Sequence, residues 1–504
     1  MGDETTAGDS SRQRSMLRRP FLGAVGACSG LGIASALGLS RTDSVRATQD
    51  DDEETDWEAE ADERIEEHRT TDLEVRVVDR NGDPIDGADV DITMSEHEYG
   101  FGTAVNAGTL LEETEPGDEY HEHIPELFNK AVLENQHKWR FFEDDQDLAD
   151  EATEWILEQD LELRGHTCLW ASVDSAAVPE DVVSAMGREW DEGDVTDPEE
   201  DPDHVLERAT EHLETIMEHY GDDITEWDVV NEAVNEPGFI RTIDGVNRGF
   251  EGPTLAEWYQ RAAEIGDEYD VGVDVNDYNV LVGPNQGTRE FYQDQIEFLR
   301  EEGVDLDGIG LQCHFSEGNT LDSEQVMDGI DLYADYDADV RITEFDTEGG
   351  SWDDNEKADY LHMFLKTVFS HPATTDFVMW GFWDGRHWYD DAPLFYEDWE
   401  PKPGYDAYTN LVFDEWWTDE DGQTDSGVYE TQAFHGEYEL SASYEDESAS
   451  TTTTITGEDE TIELELDNEA GEDSIPGFGV GAALAGLAGL AGYAWLRDGD
   501  AETA

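Results

Sequence analysis

The hydrophobic pattern changes register along the chain. From Leu73 to Thr93 apolar and polar positions alternate: Leu73, Val75 and Val77, then the turn pair Asn81-Gly82, then Ala88, Val90 and Ile92. Period two around turn residues predicts a hairpin or small β appendage over 71–98. From Gly100 onward, short apolar runs alternate with amphipathic stretches of a dozen residues or more, such as Asp203–His219 and Leu255–Tyr269, which predicts βα units. The runs are Phe101–Val105, Lys130–Glu134, Leu163–Trp170, Glu226–Asn231, Val273–Asn279, Gly308–His314, Val340–Glu344 and Phe377–Trp383. Their number and spacing predict an α/β fold, a (β/α)8 TIM barrel over 99–415. A second alternating segment, rich in Thr and Tyr, predicts a β module over 428–468, so the barrel is expected to carry small β appendages before and after it.

Two of the apolar runs end abruptly in a carboxylate. Trp227 to Glu232 and Arg341 to Glu344 each read as a buried parallel strand delivering a charge at its C-terminal mouth. A carboxylate in a water-poor mouth is costly unless partnered, so two such strands point to paired acid/base chemistry. In a chain with 128 Asp plus Glu, either one alone is equally readable as an incidental helix cap. Glu134, His166, Asn276, His314 and Trp380 fall at the ends of the other strands, the face on which such barrels carry their active sites.

Charge alters the picture of partners. Twenty-seven Lys plus Arg against 128 acids give a formal net charge of −101, which repels nucleic acid and anionic lipid and excludes a DNA- or RNA-binding role. The excess runs along the whole length and resembles proteins of salt-loving archaea, in which multimolar salt screens the repulsion. Hydrophobic residues make up 37% and aromatic residues 10%, enough for a packed core. Cys28, Cys168 and Cys313 are too few for a disulfide framework, and the last two are expected as buried free thiols.

The flanks read as addresses and joints. Arg18-Arg19 and the Gly/Ala-rich apolar run to Leu39 predict a twin-arginine export signal over 1–47. Acid-dense, apolar-poor stretches predict solvated linkers over 48–70 and 416–427. Pro476-Gly477-Phe478 followed by the apolar run Val480–Leu496 resembles archaeal C-terminal sorting signals, which implies an anchor segment over 469–504. The expectation is an extracellular monomer, held at the cell surface by its C-terminus and touching membrane only there.

The strand-end motifs, taken together, resemble family 10 glycoside hydrolases, the retaining endo-β-1,4-xylanases. The matching strings are FGTAV from Phe101, ENQHKW from Glu134, RGHTCLW from Arg164, WDVVNEA from Trp227, NDYN from Asn276, GLQCH from Gly310, ITEFD from Ile342, WGFWD from Trp380 and PLFYEDWEPKPGY from Pro393. The resemblance implies Glu232 as general acid/base and Glu344 as nucleophile of a covalent mechanism on a xylan-like polysaccharide. It further implies Asn231 on the sugar 2-hydroxyl, and His314 with Asp346 orienting Glu344. Glu134, Asn135, Lys138, His166 and Gln312 would be glycone-side ligands, and Trp170, Trp380 and Trp388 aromatic walls. No metal and no cofactor are implied. The chain departs from the pattern at Ala171–Ser175, where a His and a Gln-Pro-Trp loop are usual, and at Trp383, where a small polar residue is common.

Other readings stay open at this point. β-Glucan or cellulose could replace xylan on the same barrel. His121 and His123 could belong to a metal-dependent hydrolase, although two histidines at i and i+2 with no third ligand are a weak signal. A non-catalytic carbohydrate-binding surface protein would not need the intact set Glu232, Glu344, His314 and Asp346.

Overall fold

The computed structural model describes residues 54–467, with 191, 192, 194, 282–285, 458 and 459 excepted. The export signal, Cys28 and the C-terminal sorting segment lie outside the described residues.

In chain order the strands are β1 (Thr70–Val78), β2 (Asp89–His97), β3 (Gly100–Val105), β4 (Lys130–Leu133), β5 (Glu162–Gly165), β6 (Leu169–Trp170), β7 (Glu226–Asn231), β8 (Gly272–Tyr278), β9 (Gly308–Gln312), β10 (His314–Ser316), β11 (Asp339–Glu348), β12 (Thr374–Met379), β13 (Asp419–Gln423), β14 (Val428–Phe434), β15 (Gly436–Tyr444), β16 (Glu447–Ile455) and β17 (Glu460–Glu465). Eight of them, β3, β4, β5, β7, β8, β9, β11 and β12, pair in parallel, and the β9–β11 pairing closes the ring. Ring strands are buried on both faces and therefore read as continuous apolar runs. Helices sheathe them. In the helix Pro202–Tyr220, buried Val205, Ala209, Leu213, Ile216 and Met217 recur at helical spacing. Asp201 caps its start by accepting from the His204 N–H at 3.2 Å, and Gly221 at φ +52° ends it.

The run Leu163–Trp170 splits into β5 and β6. The run from Val340 extends further than its apolar stretch, because β10 pairs with the outer end of β11 and places His314 opposite Asp346.

At the N-terminal ends of the ring strands lies a buried ion cluster. Lys130 Nζ stands 2.9 Å from Glu226 and 2.8 Å from Asp376. Arg164 pairs with Asp274 at 2.9 Å and also with Asp228, and Arg341 with Asp274 at 3.0 Å and also with Asp376. Removing one partner from such a set leaves an uncompensated buried charge, so the members hold one another in place.

Three expectations for the flanks are corrected. The stretch 48–70 is not simply a linker: Glu54–Arg69 forms a helix. Trp57, Ala61 and Ile65 recur every four residues, Ala61 and Ile65 are buried, and Arg69 donates to the carbonyls of Phe369 (2.8 Å), His371 (2.7 Å) and Thr374 (2.7 Å). The stretch 416–427 contains β13, which pairs antiparallel with β2, and buried Trp416 stacks on Phe369 at 4.0 Å. Finally, β1 and β2 do not form a hairpin. β1 joins β14 and β17 in one sheet, and β2 joins β13, β15 and β16 in another. The two sheets share one apolar core that includes Leu73, Val75, Val90, Ile92, Tyr438, Leu440 and Leu464, so the segments before and after the barrel build a single module.

Candidate active site

The fully buried run of β7 hands over to Glu232, which sits at φ +56° with its N–H bonded to the Asn276 carbonyl at 2.8 Å. A left-handed backbone at a non-glycine residue is unusual, and here it falls on the residue that carries the acid. On β11 the strand's alternation puts Glu344, Asp346 and Glu348 on one face. Cys168 and Cys313, beside these positions, are buried and unpaired.

A continuous hydrogen-bond path joins the two glutamates. Gln312 Nε2 donates to Glu232 Oε1 (3.2 Å) and to Asn231 Oδ1 (3.3 Å). Asn276 Nδ2 donates to the same Asn231 oxygen (3.1 Å) and to Glu344 Oε1 (2.9 Å). Thr343 Oγ1 in turn donates to Asn276 Oδ1 at 2.8 Å, which fixes that amide's orientation. With its oxygen doubly occupied, Asn231 has, among the described residues, its NH2 group left to bond a ligand. Trp170 Nε1 donates to Glu232 Oε2 at 2.8 Å. On the other side, His314 lies 3.2 Å from Glu344 Oε2 through Nε2 and 2.9 Å from Asp346 Oδ2 through Nδ1. Trp388 Nε1 donates to that Asp346 oxygen at 2.7 Å.

The surroundings push the two glutamates apart in ionisation. Burial foremost, then the charges of Asp277 and Glu344, raise the Glu232 carboxyl to about 8, against weaker opposing bonds from Gln312 and Trp170. Burial would raise Glu344 too, but the His314 hydrogen bond, the charges of His166 and His314, and the Asn276 donor bring it below its ordinary value. His314 is held well above its own ordinary value, because Asp346 and Glu344 outweigh the burial that would deprotonate it. It therefore donates from both nitrogens. Two carboxyls at the mouth ends of β7 and β11, one protonated and one ionised near neutrality, form an acid paired with a nucleophile or base.

A model of glycosyl hydrolase family 10 matches residues 91–411. The chain belongs to glycosyl hydrolase family 10. The match takes in the (β/α)8 barrel, and the additional strands lie outside the ring. Over 395 residues it is 28% identical to the anti-sigma-I factor RsgI6 of Acetivibrio thermocellus, a match covering 76% of this chain and 46% of that protein. Over 341 residues it is 26% identical to endo-1,4-beta-xylanase B of Thermotoga neapolitana, covering 64% of this chain and 92% of the relative. The chain thus spans less than half of the first relative and most of the second. Among solved structures it is similar to xylanase 10B from Thermotoga petrophila in complex with xylobiose, with a TM-score of 0.53 and 25% identity, covering 63% of this chain and 95% of that one.

The remaining expected ligands of this family 10 site gather around the same mouth. Lys138 Nζ is 4.9 Å from the Trp170 ring centroid and 5.8 Å from that of Trp380, and it bonds Asn135 Oδ1 at 3.2 Å. Burial lowers the Lys138 ammonium, although Glu134, Glu344 and Glu232 oppose the effect. His166 Nδ1 is 2.8 Å from Asp228 Oδ2, and its ring meets Trp380 edge-on at 5.1 Å. Glu134 accepts from Asn106 Nδ2 at 2.7 Å. Trp380 is buried, whereas Trp388 is 44% exposed at the rim, open to a sugar face. His121 and His123 are engaged elsewhere: His121 Nε2 with the Leu110 carbonyl at 2.9 Å and His123 Nδ1 with Glu126 at 3.0 Å.

Three participants carried no expected role. Asn276 is the hub between the glutamates; its place at a strand end was the signal. Asp277, which accepts from the Val234 N–H (2.9 Å) and Asn235 Nδ2 (2.6 Å), supplies the largest charge acting on Glu232. Asp228 ties His166 to Arg164 of the ion cluster and so couples mouth to base. Asp228 and Asp277 lie within the strings quoted from Trp227 and Asn276, but apolar runs and strand ends give neither a role.

Proposed function

We propose that the protein is a retaining endo-β-1,4-xylanase, with Glu344 as nucleophile and Glu232 as general acid and then base. The observation that carries this reading is the opposed ionisation of the two glutamates. In the first step the Glu344 carboxylate attacks the anomeric carbon while Glu232 passes its proton to the departing glycosidic oxygen; the C1–O bond breaks and a C1–Glu344 ester forms. Glu344 is then neutral, so one cause of the raised Glu232 value disappears. Glu232, now ionised, takes a proton from water, which attacks C1 and releases the sugar with retained configuration. The protonated His314, held by Asp346, stabilises Glu344 as the leaving carboxylate of this step. Asn231, through its NH2, is assigned to the 2-hydroxyl.

Xylan as substrate is supported by the family and by the xylanases among its relatives. Export by the twin-arginine route, C-terminal anchoring and adaptation to high salt belong to the same proposal, supported by Arg18-Arg19, Pro476-Gly477-Phe478 and the −101 charge. The deciding experiment digests xylan, mixed-linkage β-glucan and cellulose in high salt and follows the anomer first formed by NMR. Internal cleavage of xylan with a β-anomeric product is expected. An α-anomer removes the retaining mechanism, and turnover confined to glucans removes the xylanase assignment.

A further inference from the structure

The loop after β12 departs from the family pattern and carries residues that no step above uses. Trp383 stacks on Trp399 with ring centroids 4.3 Å apart and planes within 8°, and its Nε1 donates to the Glu397 carbonyl at 3.3 Å. The indole covers Gly385, where a Cβ would come within 2.0 Å of the ring, so only glycine fits beneath it. Asp384 Oδ1 accepts from the Ala392 N–H and from Lys402 Nζ, each at 2.7 Å. The single turn Asp384–Arg386 is fixed from both sides.

That turn places Arg386 and His387 at a recess shared with Asn106, Tyr120, Glu134 and Trp380. The Arg386 side chain is 43% exposed, and its Nη2 stands 3.6 Å from Glu134 Oε2, beyond hydrogen-bond reach. Its fork of donors is therefore not spent on that glutamate. His387 is buried, and Nδ1 accepts from the Tyr389 N–H at 3.3 Å, which leaves the proton of the neutral ring on Nε2. Burial keeps the ring neutral, and Nε2 finds no acceptor among the described residues. A buried donor without an acceptor is unfavourable until an acceptor arrives.

We propose that this recess takes the carboxylate of a uronic-acid branch on the xylan chain, with Arg386 as a specificity-determining residue and His387 Nε2–H as a second donor. The planar guanidinium matches a carboxylate with two parallel hydrogen bonds. The proposal rests on the xylanase reading.

The test measures kcat/KM of the full protein at one fixed salt concentration on glucuronoxylan, on the same polymer after reduction of its uronic carboxyls to alcohols, and on linear xylo-oligosaccharides. Wild type should prefer the acidic polymer about tenfold over its reduced form, the size of one charged hydrogen bond. Arg386→Gln should bring that ratio to about one, and Arg386→Lys should fall between, since it keeps the charge and loses the fork. A wild-type ratio of one overturns the proposal. So does an equal loss on acidic and reduced polymer in Arg386→Gln, which would make Arg386 only a brace for Glu134. Linear oligosaccharides separate the two levels: turnover of them without an acidic preference defeats this proposal alone, and no turnover of them by wild type defeats the xylanase reading and this proposal with it.

Discussion

Replacing Glu344 with Gln should lower the pKa of Glu232 and turn a resting acid into a base, which is the change the second chemical step requires. In the intact site Glu232 is raised from 4.5 to about 8. At the ~5.5 Å separation that a retaining pair needs, two unit charges in an effective dielectric of about 20 repel by about 3 kcal/mol, or about two pH units. Glu344 ranks third among the causes, behind burial and the Asp277 charge, so its removal cannot return Glu232 to 4.5. The expected titration point in Glu344→Gln is between about 6 and 7.

The assay is a carbon-13 NMR titration of protein labelled at the glutamate side-chain carboxyl, with the Glu232 signal assigned by its loss in Glu232→Gln. Most glutamates titrate far lower, so a carboxyl near neutrality stands apart. Glu96 supplies a control: burial and the charges of Glu437, Glu162 and Asp160 raise it to about 7, and none of these is in the mouth. A Glu232 signal that stays near 8 in Glu344→Gln, or a shift shared equally by Glu96, would refute the coupling argued for the two steps.

The pH profile of kcat/KM should fall as pH rises through about 8, where Glu232 loses its proton, and should hold on the acid side to below 4.5, because Glu344 is lowered. Trp170→Phe removes a hydrogen bond that lowers Glu232, so the basic limb should move to higher pH; a move to lower pH contradicts the assignment. Arg164→Met strips the cation shared by Glu226, Asp228 and Asp274 and should cost ~3–5 kcal/mol in urea unfolding at fixed salt; a loss under 1 kcal/mol would show that the cluster is not coupled. Transfer to dilute buffer should lower the unfolding midpoint, since a net charge of −101 is screened over only ~3 Å at 1 M salt and over ~30 Å at 0.01 M. An unchanged midpoint would refute the salt requirement.

The barrel was legible because its strands are buried on both faces, which turns each into an apolar run ending in a polar residue. Glu232, Glu344, His314 and Asn276 all announce themselves that way. The flanks were misjudged where composition hid periodicity. In Glu54–Arg69 the acids outnumber Trp57, Ala61 and Ile65, yet those three share a helix face. β13 (Asp419–Gln423) has no apolar residue facing a core and exists because its backbone pairs with β2. The β1–β2 separation was hidden for another reason. Alternation and a turn pair specify two strands, but whether they pair with each other depends on partners more than 300 residues further along the chain.

Those partners also explain where the module sits. β2 ends at His97 and β3 begins at Gly100, so the module joins the barrel at the N-terminal end of a ring strand, opposite the mouth. Asn129, just before β4, donates to the His97 and Tyr99 carbonyls at 3.1 Å, and Arg69, just before β1, reaches the Thr374 carbonyl at the start of β12. These junctions lie at the base of the barrel, at the opposite end of the strands from the mouth. The module's two sheets each take strands from both flanks, Thr70 opposite Phe434 in one and Gly436 opposite His97 in the other. The core that buries Leu73, Val75, Val90 and Ile92 draws residues from both flanks, so forming it closes a loop of more than 300 residues. Because that core ties the segment before the barrel to the segment after it, its hydrophobic burial adds to the cost of separating the two.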